Sequence, residues 1–224
     1  MSKLFVVPTP IGNLDDITLR ALNVLRSVSL IVAEDTRTSS FLLKHFEIGT
    51  HMIPFHKFNE HEKVKTIVDK IKSGMQVAII SDAGTPGISD PGFLLVRECI
   101  KSKIEVETLP GATAFVPALI NSGFATDRFI FEGFLPQKKG RKSRLEKLKG
   151  ENKTIIFYES PYRVVKLLEE LRIVFGDNRG ISLSREISKF HEETKRGSVL
   201  ELIEYFKLKE PKGEFVVVVK GEED

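Results

Sequence analysis

The chain has 224 residues, 41% hydrophobic and 29% charged, which is enough apolar material for one large core or two small ones and too much for a disordered chain. Its net charge of +3, from 34 Lys and Arg against 31 Asp and Glu, excludes a polycation. Apolar runs such as 215–219 are far too short to span a membrane, the N-terminus lacks a secretory pattern, and one cysteine, Cys99, excludes an internal disulfide and fits a reducing cytoplasm. Cys99 stands apart from the five histidines, so no metal site is expected.

Residues 4–7 form a first strand, broken by the proline- and glycine-rich loop 8–13. Asp15-Asp16 opens a helix whose apolar positions run from Ile17 to Val28 at helical spacing. Strand two, 30–35, ends in two acids and leads into a helix that Gly49 stops. A short strand at 51–55 precedes a helix begun by Asn59, with Glu62 as its capping-box partner and Gly74 as its stop. The apolar run 76–80 is a strand, and the loop 81–92 after it has the sequence SDAGTPGISDPG. Asp90 is placed to cap the next helix, with Pro91 at its first position. A strand at 104–109 and a loop running into a short helix (110–123) close the first half.

Residues 121–127 read as a linker, which divides the chain into domains 1–121 and 122–224. The second half offers strands at 128–134, 154–158, 181–187 and 214–221. Helices lie between them, one of them capped by Ser160-Pro161 and closed by Gly176. Alternating strands and helices predict α/β domains, the first built on a parallel sheet.

In such a sheet the loops 8–13, 81–92 and 109–114 share the rim at the strands' carboxyl ends, where ligands bind. The loop 81–92 is far longer than a usual βα connection, and its glycines let the backbone approach a ligand closely. No G-x-G-x-x-G or P-loop signature follows any strand, which argues against a dinucleotide or a triphosphate cradle. Ser39 and Ser40 have no triad signature and G-x-S-x-G is absent, so a serine hydrolase is excluded. Backbone recognition of a small polar molecule is left.

Candidate acid–base groups are Glu34, Asp35, Arg37, His56, Glu60, Asp82, Asp90, Glu159 and Arg185. Glu34, Asp35 and Arg37 put two carboxylates and a guanidinium at one strand end, a cluster suited to orienting or deprotonating a hydroxyl. Between Lys138 and Lys149, seven cations (Lys138, Lys139, Arg141, Lys142, Arg144, Lys147, Lys149) face one acid, Glu146. Such a stretch is either a solvated helix face or a phosphate-binding patch.

The blocks VPTPIGNLDDITLRAL, AEDTR, SDAGTPGISDPG, LPGATA, FEGFLP, FYESPYR, SREISKFHEE and KGEFVVVVKG, in this order over residues 4–221, resemble the tetrapyrrole-methylase-like superfamily. Within it they resemble the branch that methylates a cytidine 2′-hydroxyl in 16S rRNA. The resemblance implies two α/β/α domains with S-adenosylmethionine in the cleft between them, a homodimer, and rRNA in the small ribosomal subunit as substrate. It also implies cofactor contacts at Pro10, Asp82, Gly84, Pro86, Gly87, Ile88, Ser89, Ala112, Thr113, Ala114, Tyr158, Glu159 and Gly213. The expected catalytic set is Glu34 and Asp35 with Arg37, then His56 or Glu60. With RNA implied, Lys138, Lys139, Arg141, Lys142, Arg144 and Arg163 become expected phosphate contacts. The run PFHKFNE departs from the family's His-rich pattern, with Lys57 and Phe58 inside it. A tetrapyrrole C-methyltransferase and a non-catalytic rRNA-binding assembly factor are the other readings; the basic stretch speaks against the first and the intact loop 81–92 against the second.

Overall fold

In the computed structural model, which describes residues 2–222, the chain divides into two compact units, Met1–Thr113 and Ala114–Asp224. The first unit is a five-stranded sheet in the order β3-β2-β4-β1-β5. Its strands are β1 (Lys3–Val6), β2 (Leu30–Ala33), β3 (Met52–Pro54), β4 (Gln76–Ile80) and β5 (Glu105–Thr108). Every pairing in it is parallel.

The apolar runs of β2 and β4 lack alternation because both faces of the sheet are covered. Leu30, Val32, Val77 and Ile79 pack with Ile67, Val68 and Ile71 of α3 (Glu60–Lys72) and with Leu95 and Cys99 of α4 (Phe93–Lys101). Ile31, Ala33, Ala78 and Ile80 turn to the other face, against Ala21, Leu22 and Leu25 of α1 (Leu19–Ser27) and Leu43 of α2 (Thr36–His45). The neighbours β2 and β4 thus send their following helices to opposite faces. Their loops diverge at the rim, the arrangement that leaves room for a ligand above the strand ends.

The second unit opens with α5 (Phe115–Ser122) and holds a mixed sheet in the order β6-β7-β10-β8-β9. Strands β6 (Phe129–Phe134) and β7 (Thr154–Glu159) are parallel, while β10 (Phe215–Val219) runs antiparallel to both β7 and β8 (Gly180–Arg185). One face packs Ile155, Phe157, Leu183, Val217 and Val219 against α6 (Arg141–Glu146), α7 (Val164–Phe175) and α8 (Val199–Leu208). Helix α5 covers the other face, over β8 and β10.

Several local expectations change. The boundary falls after Thr113 rather than after residue 121, because the apolar helix α5 packs on the second sheet. Asp15 and Asp16 lie in a separate 3-10 turn, and α1 starts behind the Thr18 cap, whose hydroxyl accepts from the Ala21 N–H. The cap of α4 is Gly92, at φ +141°, not Asp90. Asn59 sits at the head of α3 without a side-chain cap, so the capping box with Glu62 does not form. Helix α7 starts at Val164, after a turn in which the Ser160 carbonyl accepts from Arg163 and Val164. The edge strand β9 (Glu193–Ser198) escapes a reading by apolar alternation, since its sequence is ETKRGS. Charged residues on an edge strand guard against further pairing.

Candidate active site

Every strand of the first unit points the same way, so the loops after β1, β2, β3, β4 and β5 meet at one rim. Three of them are tied together by backbone. Thr9 and Gly84 exchange N–H to carbonyl bonds of 2.9 and 3.0 Å, and the Thr9 hydroxyl donates to the Ser81 carbonyl at 3.0 Å. The Thr85 hydroxyl donates to the Ala112 carbonyl at 3.0 Å. Pro10, Gly84, Pro86, Ala112 and Thr113 therefore come together as the sequence suggests, with Gly87, Ile88 and Ser89 on the same loop. Gly84 (φ +81°), Gly87 (φ +86°) and Ser89 (φ +66°) adopt left-handed backbone, which turns the loop back on itself. Gly111 gave no signal in the sequence beyond its type, yet a Cβ there would come within 2.6 Å of the Pro8 ring.

The acids of the rim divide into two kinds. Asp35 is the cap of α2: its Oδ1 accepts from the Arg37 backbone N–H at 2.8 Å, and its carboxylate takes two further bonds from the Arg37 guanidinium. Those bonds hold its pKa down to about 2, which makes Asp35 a poor proton acceptor. Asp35 and Arg37 thus pair with each other at the head of α2, with the Arg37 side chain exposed. Glu34, Asp82 and Asp90 are the other kind. Burial raises the Glu34 carboxyl, and the nearby charge of Asp82 adds to the rise. Asp82 is raised by burial even though its Oδ1 accepts from the Asp35 N–H at 3.0 Å. Asp90 is pushed up to about 7 by burial and by the charges of Glu34 and Asp82. The Asp-Pro signal that suggested a helix cap therefore marks a member of this acidic rim. Among the described residues, no group of three or more His, Cys, Asp or Glu side chains is arranged to hold a metal ion.

One prediction follows from Asp90. Its folded pKa lies above the unfolded value of 3.8, so the folded state keeps the proton longer, and stability falls as pH rises through about 7. Asp90→Asn should stabilise the protein at pH 8 by roughly 1–2 kcal/mol, discounted for solvent screening, with the gain gone below about pH 4. Urea midpoints at the two pH values measure it, and an equal shift at both would refute the linkage.

His56 and Asn59 form a second small constellation at the end of β3. The His56 N–H donates to Asn59 Oδ1 at 2.9 Å, and Asn59 Nδ2 lies 3.0 Å from His56 Nε2. Glu60 is the first residue of α3.

In the second unit several expected contacts have internal duties instead. Glu159 is 2% exposed; its Oε1 accepts from the Ser160 N–H and from Arg163 Nε at 2.9 and 2.8 Å. Its Oε2 faces Arg141, itself 4% exposed and bonded through Nε to Glu170 at 2.7 Å. Glu159 and Arg141 are buried partners, so neither is open to a cofactor or a phosphate. Arg144 is tied to Glu132, and Arg163 to Glu159. Besides Arg144, the exposed cations of the basic stretch are Lys138, Lys139, Lys142, Lys147 and Lys149. Gly213 stands at φ +84°, where a Cβ would meet the Glu186 side chain at 2.5 Å, and the following Glu214 N–H donates to Glu186 Oε1. Its glycine is explained by this turn. Tyr158 packs edge-on against Phe131 and Phe134. Ala114 begins the second unit as the cap position of α5.

Comparison with known proteins agrees with this architecture. A relative from Synechocystis sp., named ribosomal RNA small subunit methyltransferase I, is 48% identical over 222 residues, covering 99% of this chain and 80% of its own. A relative of the same name from Thermotoga maritima is 48% identical over 223 residues, covering all of both chains. The crystal structure of uroporphyrin-III C-methyltransferase from Thermus thermophilus superposes with a TM-score of 0.65 at 18% identity, over 97% of this chain and 94% of that one, a likeness of fold alone. The family model of the tetrapyrrole (corrin/porphyrin) methylases matches residues 3–203, which take in the whole rim of the first unit and most of the second sheet. With the whole first sheet, its rim loops and four of the five strands of the second sheet inside that match, the chain belongs to the tetrapyrrole (corrin/porphyrin) methylase family.

Proposed function

We propose that this chain transfers a methyl group from S-adenosylmethionine to the 2′-hydroxyl of a cytidine at the decoding centre of 16S rRNA, in the small ribosomal subunit. The observation that carries the reading is Glu34, a carboxylate of raised basicity at the rim, beside the loop 81–92. The names of the 48%-identical relatives supply the substrate class. The family resemblance supplies the ribose oxygen, the cytoplasm and the homodimer.

The rim's chemistry fits the proposed methyl donor. Glu34, Asp82 and Asp90 are mutually repelling carboxyls, and a ligand with a sulfonium and an ammonium would relieve that repulsion. Asp82, Gly84, Pro86, Gly87, Ile88 and Ser89 would hold it, with Pro10, Ala112 and Thr113 alongside. When bound, S-adenosylmethionine supplies an electrophilic methyl group on a good leaving sulfur. The rest falls to this chain's residues. A ribose hydroxyl is a weak nucleophile until its proton is removed, and Glu34 would accept that proton. Burial and the charge of Asp82 keep Glu34 basic, and the Asp35–Arg37 pair fixes the head of α2 beside it.

RNA is proposed to lie along Lys138, Lys139, Lys142, Lys147 and Lys149, without Arg141. Their neutralisation of phosphates would position RNA without reading its sequence. The direct test is label transfer from S-adenosylmethionine to assembled small subunits, naked rRNA and a precorrin, compared side by side. Label in ribose of the RNA is expected; label in the precorrin alone would refute the reading. Changing Lys138, Lys139 and Lys142 to Glu should weaken RNA binding and flatten its salt dependence by roughly 0.7 in log–log slope per lost contact. Cofactor affinity should hold, and an unchanged salt slope would return the segment to a solvated helix.

A further inference from the structure

The His56–Asn59 pair carries an inference about how the site is set up. The two hydrogen bonds orient the Asn59 amide: its oxygen faces the His56 N–H, so its nitrogen faces the ring. An amide nitrogen is only a donor, and Nε2 of His56 is therefore the acceptor of that 3.0 Å bond. The ring proton then resides on Nδ1. That atom is buried and has no hydrogen-bond partner among the described residues. A buried donor left unpaired is rare in a folded protein and asks for an acceptor.

The place is informative. The Phe55 N–H donates to the Ala33 carbonyl at 2.7 Å, so the end of β3 runs beside the end of β2, next to Glu34. The His56 and Glu34 side chains lie near enough to be electrostatically coupled. The backbone locks the turn: the His56 carbonyl accepts from the Asn59 and Glu60 N–H groups, each at 2.9 Å. His56 and Glu34 thus follow neighbouring strand ends on the same rim. A ribose edge offers the complement, a hydroxyl to give a proton and a neighbouring oxygen to accept a hydrogen bond.

We infer that Asn59 is a positioning residue that fixes His56 in its Nδ1–H form, keeping that buried donor for a ribose oxygen of the nucleotide whose hydroxyl faces Glu34. The inference rests on the RNA reading above for the identity of the ligand, and on the structure alone for the tautomer. In the proposed reaction the 2′-hydroxyl proton passes to Glu34, while His56 donates a hydrogen bond to the adjacent oxygen and keeps its own proton. His56 acts by holding the ribose in line rather than by proton transfer.

Asn59→Asp is the discriminating variant. It keeps the oxygen that accepts the His56 N–H, puts a charged acceptor in place of the donor to Nε2, and also gives up the 3.5 Å bond to the Pro54 carbonyl. In the whole protein, nitrogen NMR of the imidazole at about pH 9, well above the usual imidazole range, should show the Nδ1–H form in the wild type and the Nε2–H form in the variant. The variant's kcat for methyl transfer to small subunits should fall about 100-fold, with S-adenosylmethionine affinity and melting temperature held. A wild-type Nε2–H tautomer, or wild-type kcat in a variant whose tautomer has inverted, would overturn the inference. Should wild-type protein label no RNA, the RNA reading fails, and the NMR comparison still decides the role of Asn59.

Discussion

Glu34→Gln should lower the rate of methyl transfer by about 100- to 10,000-fold while leaving the fold and cofactor binding in place. Glutamine matches the size and hydrogen-bonding reach of the carboxylate but cannot take a proton. The choice of Glu34 over Asp35 follows from surroundings that the two residues do not share. Asp35 is held near pKa 2 by three bonds from Arg37, whereas burial and the charge of Asp82 raise Glu34. A raised carboxylate is the better base, and its effect should be visible in the pH profile. The wild-type rate should rise with pH as Glu34 ionises, at a midpoint above the ordinary carboxylate value, and this limb should vanish in the variant. Single-turnover transfer from labelled cofactor measures both. A variant within threefold of wild type would place the base elsewhere.

Arg141→Ala should destabilise the second unit by about 3–5 kcal/mol, the usual result of removing one partner from a buried ion pair. Arg141 is 4% exposed and holds Glu159, itself 2% exposed, through contacts of 3.3 and 3.4 Å. It also bonds Glu170 and the Pro136 carbonyl, so its loss leaves several acceptors with nothing in return. Arg163 and the Ser160 N–H still hold the other oxygen of Glu159, which places the expected cost toward the lower end of that range. The double change Arg141→Met with Glu159→Gln should recover much of the loss, because a buried pair replaced on both sides leaves no uncompensated charge. Lys142→Ala, on the exposed face of the same short helix, should shift stability by no more than about 0.5 kcal/mol. Urea unfolding of the three variants checks the order. A cost below about 1 kcal/mol for Arg141→Ala would mean that water replaces the guanidinium.

The contrast between Arg141 and Lys142 also shows where sequence reasoning stops. In the run KKGRKSRLEKLKG all the cations look alike, and spacing does not say which of them turns inward. Glu159 and Glu170 come from β7 and α7, at positions 159 and 170, so the partner that buries Arg141 exists only once the sheet and helix have packed. Asp90 was misread for a similar reason. Asp-Pro is a good local helix start, but the helix begins at Phe93 behind Gly92, and the carboxyl is instead crowded by Glu34 from the end of β2 and by Asp82 from the start of its own loop. At Gly213, a φ of +84° and the crowding by Glu186 account for the glycine within the turn, a reason that no local pattern shows. Helix α5 was counted with the first half because it follows β5, although its apolar face belongs to the second sheet.

The sequence by itself determined what depends on near neighbours in the chain. Continuous apolar runs in β2 and β4 marked strands covered on both faces, and the glycines and prolines of 81–92 marked a loop too long and too bent for a plain connection. The order of its motifs pointed to the family. The tertiary structure decided everything that depends on residues far apart in sequence meeting in a medium of lower polarity. It set which carboxylates are basic and which cations are buried. Those properties arise from desolvation and from partners supplied by other elements, and no local pattern of residue types encodes them.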